Sequence, residues 1–160
     1  MTEFEKFVQT VEALRDRQHG CLWDKEQTHE SLKKCCVEEA AEVVCGINIL
    51  SHTGNWENLK EELGDLLMQV VMHAQIAKEE GYFDIEDVIK GINDKMIRRH
   101  PHVFGDAKTF SKEEWERIKH EEKLGKEWME DYLPGAFEEA KGLIDVAAKR
   151  KQEKRRGDKL

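Results

Sequence analysis

Apolar residues recur every three to four positions along most of this 160-residue chain, and no segment shows the strict alternation of a β-strand. Only two prolines, Pro101 and Pro134, interrupt the pattern. The length suits one domain with a sizeable core, and the 38% of charged residues favours helices with ion-paired outer faces. These features predict an all-α fold, an antiparallel helical bundle.

The periodicity predicts six helices, with approximate ranges 4–19, 32–50, 56–81, 85–100, 112–124 and 136 onward. Asp84 is a favourable N-cap for the fourth helix, and Pro101 disfavours helical geometry in the residue before it. Residues 111–114, SKEE, form a capping-box signature for the fifth helix. We interpret the final basic run, KRKQEKRRGDKL, as a partly frayed tail whose charge is solvated.

Two predicted helices carry acidic residues in the same register. VEEAAEVV and KEELGDLL align so that Glu38, Glu39 and Glu42 correspond to Glu61, Glu62 and Asp65. The apolar positions correspond too, which predicts that residues such as Ala40, Val43 and Val44 and their counterparts hold both helices in the bundle. At about 100° per residue, Glu39 and Glu62 border the apolar stripe, whereas Glu42 and Asp65 lie roughly 140° from its centre. The second pair therefore needs another helix to cover it, and a second subunit is one source.

The spacing places two carboxylates on one face of each helix. Residues three apart are neighbours on a helix surface, so Glu39 pairs with Glu42, and Glu62 pairs with Asp65. The short loop between the helices makes them antiparallel neighbours, so the two pairs can face each other. Converging carboxylates repel, and a divalent cation relieves that repulsion. An all-oxygen set suits Mg²⁺, Mn²⁺ or Ca²⁺. The alternative is a solvated acidic face paired with lysines.

Other metal chemistries fit the spacing less well. Di-iron bundles place a histidine three residues after a glutamate, but here Cys45 follows Glu42 and Met68 follows Asp65. The four cysteines contain no CxxC pair, and we interpret them as reduced, mostly packing thiols, with a zinc site as the lesser alternative.

Net charge and hydropathy indicate which partners and which location to expect. A net charge of −8 argues against binding of DNA or RNA, which depends on cationic neutralisation of phosphates. No apolar run approaches the roughly 20 residues of a membrane span, and the amino terminus lacks a signal-peptide pattern. We therefore expect a cytoplasmic protein with no nucleic-acid or membrane partner.

Cations and aromatic residues follow the acidic helices. Lys95, Arg98 and Arg99 lie within one turn near the end of the fourth helix, where they could contact phosphates or simply complement the helix dipole. Trp115 and Lys119 lie four apart on the fifth helix, and this pair could stack a base and contact a phosphate. A core position is the commoner role for a residue such as Trp115, and the same alternative applies to Trp23.

The order and spacing of several segments resemble the MazG family of nucleoside triphosphate pyrophosphohydrolases. The matching segments are WDKEQTHESL, EEAAEV, EELGDLL, DKMIRRHPHVF and WERIKHEEK, with a weaker match over LPGAFEEAKGLIDVAAKRK. The paired acidic motifs are shared with other all-α pyrophosphohydrolases, and RRHPHVF points to MazG in particular. Leu22 departs from the family, which usually has proline there.

The resemblance implies hydrolysis of nucleoside triphosphates to monophosphate and pyrophosphate, with Mg²⁺ (or Mn²⁺) as cofactor and a homodimer or higher oligomer. It implies that the metal ligands are Glu39, Glu42, Glu62 and Asp65. Glu38 and Glu61 match acidic positions beside the ligands, where they would support the ligands or activate water. It also implies that Lys95, Arg99, Trp115 and Lys119 serve the nucleotide and its phosphates. We add Trp23 and Arg98 as candidate substrate-binding residues and expect Lys95 and Arg99 to assist catalysis.

The resemblance also predicts how the chain is divided into segments, and several functions remain as alternatives. We expect an N-terminal helix over residues 1–20, a single MazG-like catalytic helical domain over 21–125, and a C-terminal helix and basic tail over 126–160. The alternative functions are a dUTP- or dCTP-specific hydrolase on the same fold, a non-catalytic helical module that binds a nucleotide or a partner protein, and a helical dimer without a site.

Overall fold

A computed structural model describes residues 1–157, and within that range it contains α-helices and short 3-10 helices but no strand. The α-helices are α1 Glu3–Leu14, α2 Lys33–Thr53, α3 Glu57–Glu79, α4 Ile85–Arg99, α5 Pro101–Phe104, α6 Lys112–Lys123 and α7 Leu133–Gly157. The 3-10 helices are Asp24–Glu26 and Glu127–Tyr132. The predicted all-α class is confirmed. None of the helices in the described range is long and apolar enough to cross a membrane.

Side-chain caps account for several helix boundaries. Asp84 caps α4 and forms a capping box with Asp87, as its position predicts. The Ser111 hydroxyl accepts a hydrogen bond from the Glu114 backbone N–H at the start of α6. The last helix begins at Leu133 rather than Ala136, because proline fits the first turn of a helix, where its missing N–H is not needed.

The first helix is shorter than its periodicity suggests. α1 ends at Leu14, five residues before the predicted end. The Asp16 carboxylate accepts hydrogen bonds from the backbone N–H groups of Gln18 and His19, at 3.0 and 2.6 Å. Such local side-chain bonds offer the backbone an alternative to the helix, so the chain turns away here.

The chain contains two compact units, of which the first comprises residues 1–82 and 138 onward. Its centre is the antiparallel pair of α2 and α3, joined by a short loop at Gly54, whose φ is +75°. α1 packs against α3. The core of this unit consists of Val11, Leu32, Val71, Met72, Ala74, Ile76, Ala77 and Ala147. Most of these residues lie in the second half of α3, away from its acidic start.

A buried arginine fixes the segment between α1 and α2. Arg15 is 7% exposed, and its Nε and Nη2 atoms bind the two carboxylate oxygens of Glu79 at 2.9 and 2.7 Å. Its Nη1 also donates to the carbonyl oxygens of Asp24 and Gln27. Burial is the largest influence on the pKa of Glu79 and raises it, but hydrogen bonds from Arg15 and Gln75 outweigh burial and leave the pKa lowered. The pair therefore ties the connector to the end of α3.

The second unit comprises residues 83–137 and contains α4, α5, α6 and the second 3-10 helix. α4 contacts both α5 and α6, and Ile118 of α6 is the buried apolar residue of this unit. The short helix α5 begins at Pro101, directly after α4 ends, so the proline starts a new helix as well as ending the previous one.

All four cysteines are free thiols. Cys36 is half-buried, with its Sγ 3.2 Å from His73 Nε2, but Cys21 and Cys45 are exposed. The expectation of packing thiols is therefore wrong for Cys21 and Cys45.

The apolar stripes of α2 and α3 are only partly buried within the chain. Val44 and Leu63 are 56% and 50% exposed, and Ile47, Leu67 and Val70 are also exposed. The prediction that these positions form the bundle core is wrong for the single chain. Helical spacing identifies which residues share a face, but it does not say whether a neighbour within the same chain covers that face.

α2 approaches α3 closely at Gly46, which is buried. A Cβ atom at this position would lie 2.8 Å from the Leu59 Cα and 3.1 Å from its backbone nitrogen. Because the obstructing atoms belong to the backbone, they cannot move away without separating the helices. Gly46 therefore sets the distance between the two acidic helices.

We predict that Gly46→Ala lowers the free energy of unfolding by about 1–3 kcal/mol, because the added methyl group overpacks the α2–α3 contact. Chemical denaturation followed by circular dichroism measures the change. Gly142→Ala is the matched control: an added Cβ there meets no atom within 4 Å, so helix propensity should make the substitution neutral or slightly stabilising. Equal effects of the two substitutions would contradict the role of Gly46.

Candidate metal centre

The antiparallel packing of α2 and α3 brings carboxylates from both helices together. One ligand atom from each of Glu39, Glu42 and Glu62 lies within 4.8 Å of the others, and all three residues are half-buried. These three residues form the acidic cluster. The cluster contains three of the four metal ligands that the sequence predicts, drawn from two helices as the shared register requires.

Asp65, the fourth predicted ligand, is exposed and lies outside the group whose atoms converge. Its charge still acts on the cluster. Burial is the largest cause that raises the pKa of Glu39 above 4.5, followed by the negative charges of Asp65 and Glu62. The repulsion expected among these carboxylates is therefore present, and a cation at the cluster would relieve it.

An asparagine supports the cluster from the first turn of α3. Asn58 Nδ2 donates to Glu62 Oε1 at 2.8 Å and so orients that carboxylate. The Asn58 Oδ1 atom is buried and has no hydrogen-bond partner in the described structure. Asn58 is not among the predicted site residues, although its position four residues before Glu62 places it on the same helical face.

The C-terminal helix also reaches the acidic residues. Arg150 Nη2 lies 2.5 Å from Glu38 Oε2, and Lys151 Nζ forms an ion pair with Glu42 Oε1. The interpretation of the terminal basic run as merely solvated is wrong for these two residues. Residues 158–160, the end of that run, lie outside the described residues. Local spacing carried no signal for this contact, because Glu38 and Arg150 are 112 positions apart.

A cavity of about 400 Å³ adjoins the acidic cluster, and α2, α3 and α7 all contribute to its wall. Its polar lining includes Glu38, Glu42, Glu62, Asn58 and Lys151. Its apolar lining includes Ile49 and Ile144. A volume of this size falls in the range of small-molecule sites.

The donor set suits a hard divalent cation. Oxygen atoms from several carboxylates are the ligands that Mg²⁺, Mn²⁺ and Ca²⁺ prefer, and Mg²⁺ is typically held by one or two carboxylates together with waters and substrate phosphates. The half-buried position of the cluster and the raised pKa of Glu39 agree with a site whose negative charge is only partly compensated.

The second unit gathers the predicted cations around an aromatic ring. Lys119 Nζ lies 4.2 Å from the centre of the Trp115 ring, and the Arg99 guanidinium carbon lies 5.7 Å from it. Such distances allow cation–π attraction. Lys95, Arg98 and Arg99 line a cavity of about 610 Å³ in this unit.

Glu122 of α6 binds the arginines near Trp115, and it is not among the predicted site residues. Its carboxylate binds Arg99 at 2.6 Å and Arg98 at 2.7 Å. The hydrogen bond from Arg99 is the main cause of the lowered pKa of Glu122. Glu122 therefore neutralises part of the positive charge that a phosphate would otherwise meet.

The remaining predicted site residues are Trp23, Glu38 and Glu61. Trp23 precedes the first 3-10 helix, is 54% exposed, and accepts a hydrogen bond from Gln27 through its backbone carbonyl. Glu61 is exposed on α3, whereas Glu38 is half-buried and paired with Arg150. Of these, Glu38 alone lines the cavity beside the cluster among the described residues.

We predict that Mn²⁺, added without substrate, raises the melting temperature of the protein, because a cation that binds the folded state stabilises it by mass action. Glu39→Gln and Glu62→Gln should each weaken Mn²⁺ binding by about tenfold or more, since each removes a charged ligand. Isothermal titration calorimetry measures the affinity. Glu57→Gln, an exposed glutamate of the same helix α3, is the matched control and should bind Mn²⁺ like the wild type. Equal loss in the control would contradict the assignment.

Comparison with known proteins agrees with this geometry. Residues 27–104 match the MazG nucleotide pyrophosphohydrolase domain. The match contains the acidic cluster, Asp65, Lys95 and Arg99. It ends before α6 and α7.

The chain is also similar to several curated proteins. It is 53% identical over 120 residues to the nucleoside triphosphate pyrophosphohydrolase/pyrophosphatase MazG of Thermotoga maritima, covering 75% of this chain and 45% of that protein. It is 42% identical over 130 residues to the nucleoside triphosphate pyrophosphohydrolase of Escherichia coli, covering 79% and 48%. It is 48% identical over 125 residues to the uncharacterized protein YabN of Bacillus subtilis, covering 76% and 24%.

The chain thus spans about half the length, or less, of these relatives. The similarity nevertheless includes both acidic helices and agrees with the all-α architecture. Through the domain at residues 27–104, the chain belongs to the MazG family.

Proposed function

We propose that this chain hydrolyses nucleoside triphosphates to nucleoside monophosphates and pyrophosphate, with Mg²⁺ as cofactor. The observation that supports the proposal most directly is the convergence of Glu39, Glu42 and Glu62 within a matched MazG domain. The names of two similar proteins, nucleoside triphosphate pyrophosphohydrolases, support the same reaction class.

The proposed metal ligands are Glu39, Glu42, Glu62 and Asp65. Mg²⁺ bound there would supply Lewis acidity, lower the pKa of a bound water and offset charge on the phosphates. Asn58 holds the Glu62 carboxylate in place through its 2.8 Å hydrogen bond, so this ligand is oriented before a cation arrives. Preorganised ligands reduce the cost of assembling a site.

The proposed reaction is an in-line attack of water at the α-phosphorus. A new P–O bond forms between water and the α-phosphorus, the bond to the bridging oxygen breaks, and pyrophosphate leaves with the bonding electrons. The water loses a proton, and Glu38 and Glu61 are the proposed residues for orienting or activating it. Arg150 holds the Glu38 carboxylate, which favours an orienting role for Glu38.

The cationic residues near Trp115 are proposed to serve the phosphate chain and the base. Lys95 and Arg99 would stabilise charge on the pyrophosphate leaving group, and Arg98 and Lys119 would add positive charge. Trp115, and Trp23 by analogy with the family, would stack on the base. The partial neutralisation of Arg98 and Arg99 by Glu122 implies that phosphate would compete with a carboxylate for these arginines.

We further propose that two copies of the chain associate through the exposed apolar stripes of α2 and α3. Val44, Ile47, Leu63, Leu67 and Val70 are each at least 41% exposed, and exposed apolar surface of this kind marks interaction sites. A second copy is the proposed occupant because the stripes run along a helix pair, which can pack on its own symmetry mate as a four-helix bundle.

The free thiols of all four cysteines support a reducing, cytoplasmic location, since disulfides form mainly in oxidising compartments.

We predict that the wild type, with Mg²⁺, converts nucleoside triphosphates to monophosphate and pyrophosphate in a 1:1 ratio. Glu39→Gln and Asp65→Asn should reduce kcat/KM by about a hundredfold or more, because each removes charge from the proposed metal site. Glu57→Gln is the control and should retain activity. Anion-exchange chromatography with a pyrophosphate assay measures the products.

The same experiment separates the alternatives. Release of inorganic phosphate would contradict the proposed reaction. A panel of standard and damaged nucleotides would reveal a dUTP- or dCTP-specific enzyme, and metal-independent nucleotide binding without turnover would favour a non-catalytic module. Lys95→Met and Arg99→Met should raise KM or lower kcat if these residues contact the phosphates.

We predict that Ile47→Glu and Val70→Glu shift the protein from dimer to monomer, because each places a charge in the proposed apolar interface. Size-exclusion chromatography with light scattering measures the mass. Val146→Glu is the control: Val146 is 67% exposed on α7, outside both stripes, and its substitution should leave the mass unchanged. A monomeric wild type would contradict the proposed dimer.

A further inference from the structure

The C-terminal helix α7 makes specific contacts with the acidic helix α2. Near the amino end of α7, Glu139 binds Lys33 at 3.1 Å. Ala147 is buried two turns further on, and one more turn brings Arg150 and Lys151 to Glu38 and Glu42. These positions recur at helical spacing, so one face of α7 carries the residues that contact α2. α7 also lies outside the matched domain of residues 27–104.

α7 also contributes to the cavity beside the acidic cluster. Four of its residues line that cavity: Ile144, Ala147, Ala148 and Lys151. The first three supply apolar surface and Lys151 supplies the cation, next to the carboxylates of Glu42 and Glu62. A ligand in this cavity would therefore meet an apolar wall, an ammonium group and the proposed metal ligands together.

The position of Lys151 conflicts with a metal ion at the same carboxylate. Mg²⁺ binds carboxylate oxygen at about 2.0–2.1 Å, so it would lie beside Glu42, where the Lys151 ammonium lies. Two cations so close repel each other strongly in a half-buried site. Repulsion between the two cations therefore favours departure of the Lys151 ammonium from Glu42 when a metal ion binds there.

The displaced ammonium has another anion within the same cavity once substrate binds. A nucleoside triphosphate brings several anionic oxygens, and the acidic cluster adds its own negative charge, so a further cation is electrostatically favoured. The lysine side chain is long and flexible, with three rotatable donors, and can change partners without movement of the helix.

We propose that Lys151 is a substrate-positioning residue that exchanges partners: it binds Glu42 in the metal-free protein, and metal binding releases it to the phosphate chain of the nucleotide. This inference rests on the proposed function and extends the site to α7. Arg150 keeps its partner, because Glu38 is not a proposed metal ligand.

The first test uses Mn²⁺ alone, titrated by calorimetry into the full chain. Lys151→Met keeps the apolar stem but removes the competing charge, so Mn²⁺ affinity should rise by about threefold to tenfold. Lys149→Met is the matched control: Lys149 is an exposed lysine of the same helix, two positions away, and its substitution should change affinity by less than about twofold. Unchanged or weaker Mn²⁺ binding by Lys151→Met would overturn the exchange.

The second test measures binding of an α,β-methylene nucleoside triphosphate at saturating Mn²⁺, where competition for Glu42 no longer contributes. Lys151→Met should bind this analogue about tenfold more weakly than the wild type, because a charge-assisted contact is lost, and Lys151→Arg should restore most of the affinity. In turnover, KM should rise with kcat little changed. Unchanged analogue affinity would leave Lys151 as a competitor of the metal and overturn its role in binding substrate.

Different results would contradict the proposed function and the proposed role of Lys151. A wild type that binds Mn²⁺ but does not hydrolyse nucleoside triphosphates would overturn the proposed function. A wild type that hydrolyses them, combined with a Lys151→Met variant identical to it in both titrations, would overturn only the role of α7. Circular dichroism of the variant confirms that loss of the ion pair has not unfolded the helix.

Discussion

The contact between α2 and α3 at Gly46 is the constraint on which the candidate site depends. Two helices that each carry acidic residues approach so closely that a methyl group at Gly46 would lie 2.8 Å from the backbone of Leu59. Nearby, this separation places the carboxylates of Glu39, Glu42 and Glu62 within 4.8 Å of one another. The apolar core further along α3 stabilises an arrangement that the carboxylates themselves oppose through their repulsion.

Charge compensation then explains the surroundings of the cluster. The raised pKa of Glu39 shows that burial and neighbouring acids are not fully balanced. α7 supplies part of the missing charge through Arg150 and Lys151. In the second unit the signs are reversed, because Glu122 compensates Arg98 and Arg99 around Trp115. Each unit thus holds charged residues of its candidate site in ion pairs.

The exposed stripes of α2 and α3 indicate how the chain differs from a closed helical bundle. Residues such as Val44 and Leu63 have the spacing of a core, yet the single chain leaves them exposed. The buried apolar residues cluster instead around the second half of α3, α1 and Ala147 of α7. The apolar face of an amphipathic helix must be covered by another element. Either a second copy of the chain or a helix of the same chain would cover it.

The sequence by itself determined the features that depend on local spacing. Helical periodicity, the caps at Asp84 and Ser111, and the i, i+3 pairs of carboxylates all involve residues within one turn, where backbone geometry dictates which side chains are neighbours. The short loop after α2 makes α2 and α3 antiparallel neighbours, and this also predicted that Glu39 and Glu62 face each other. Tertiary structure alone decided the rest. The pairing of Arg150 with Glu38 across 112 positions and the exposure of the α2 and α3 stripes depend on which surfaces pack together. Packing between distant segments is a property of the whole folded chain, and the spacing of residues along one helix carries no record of it.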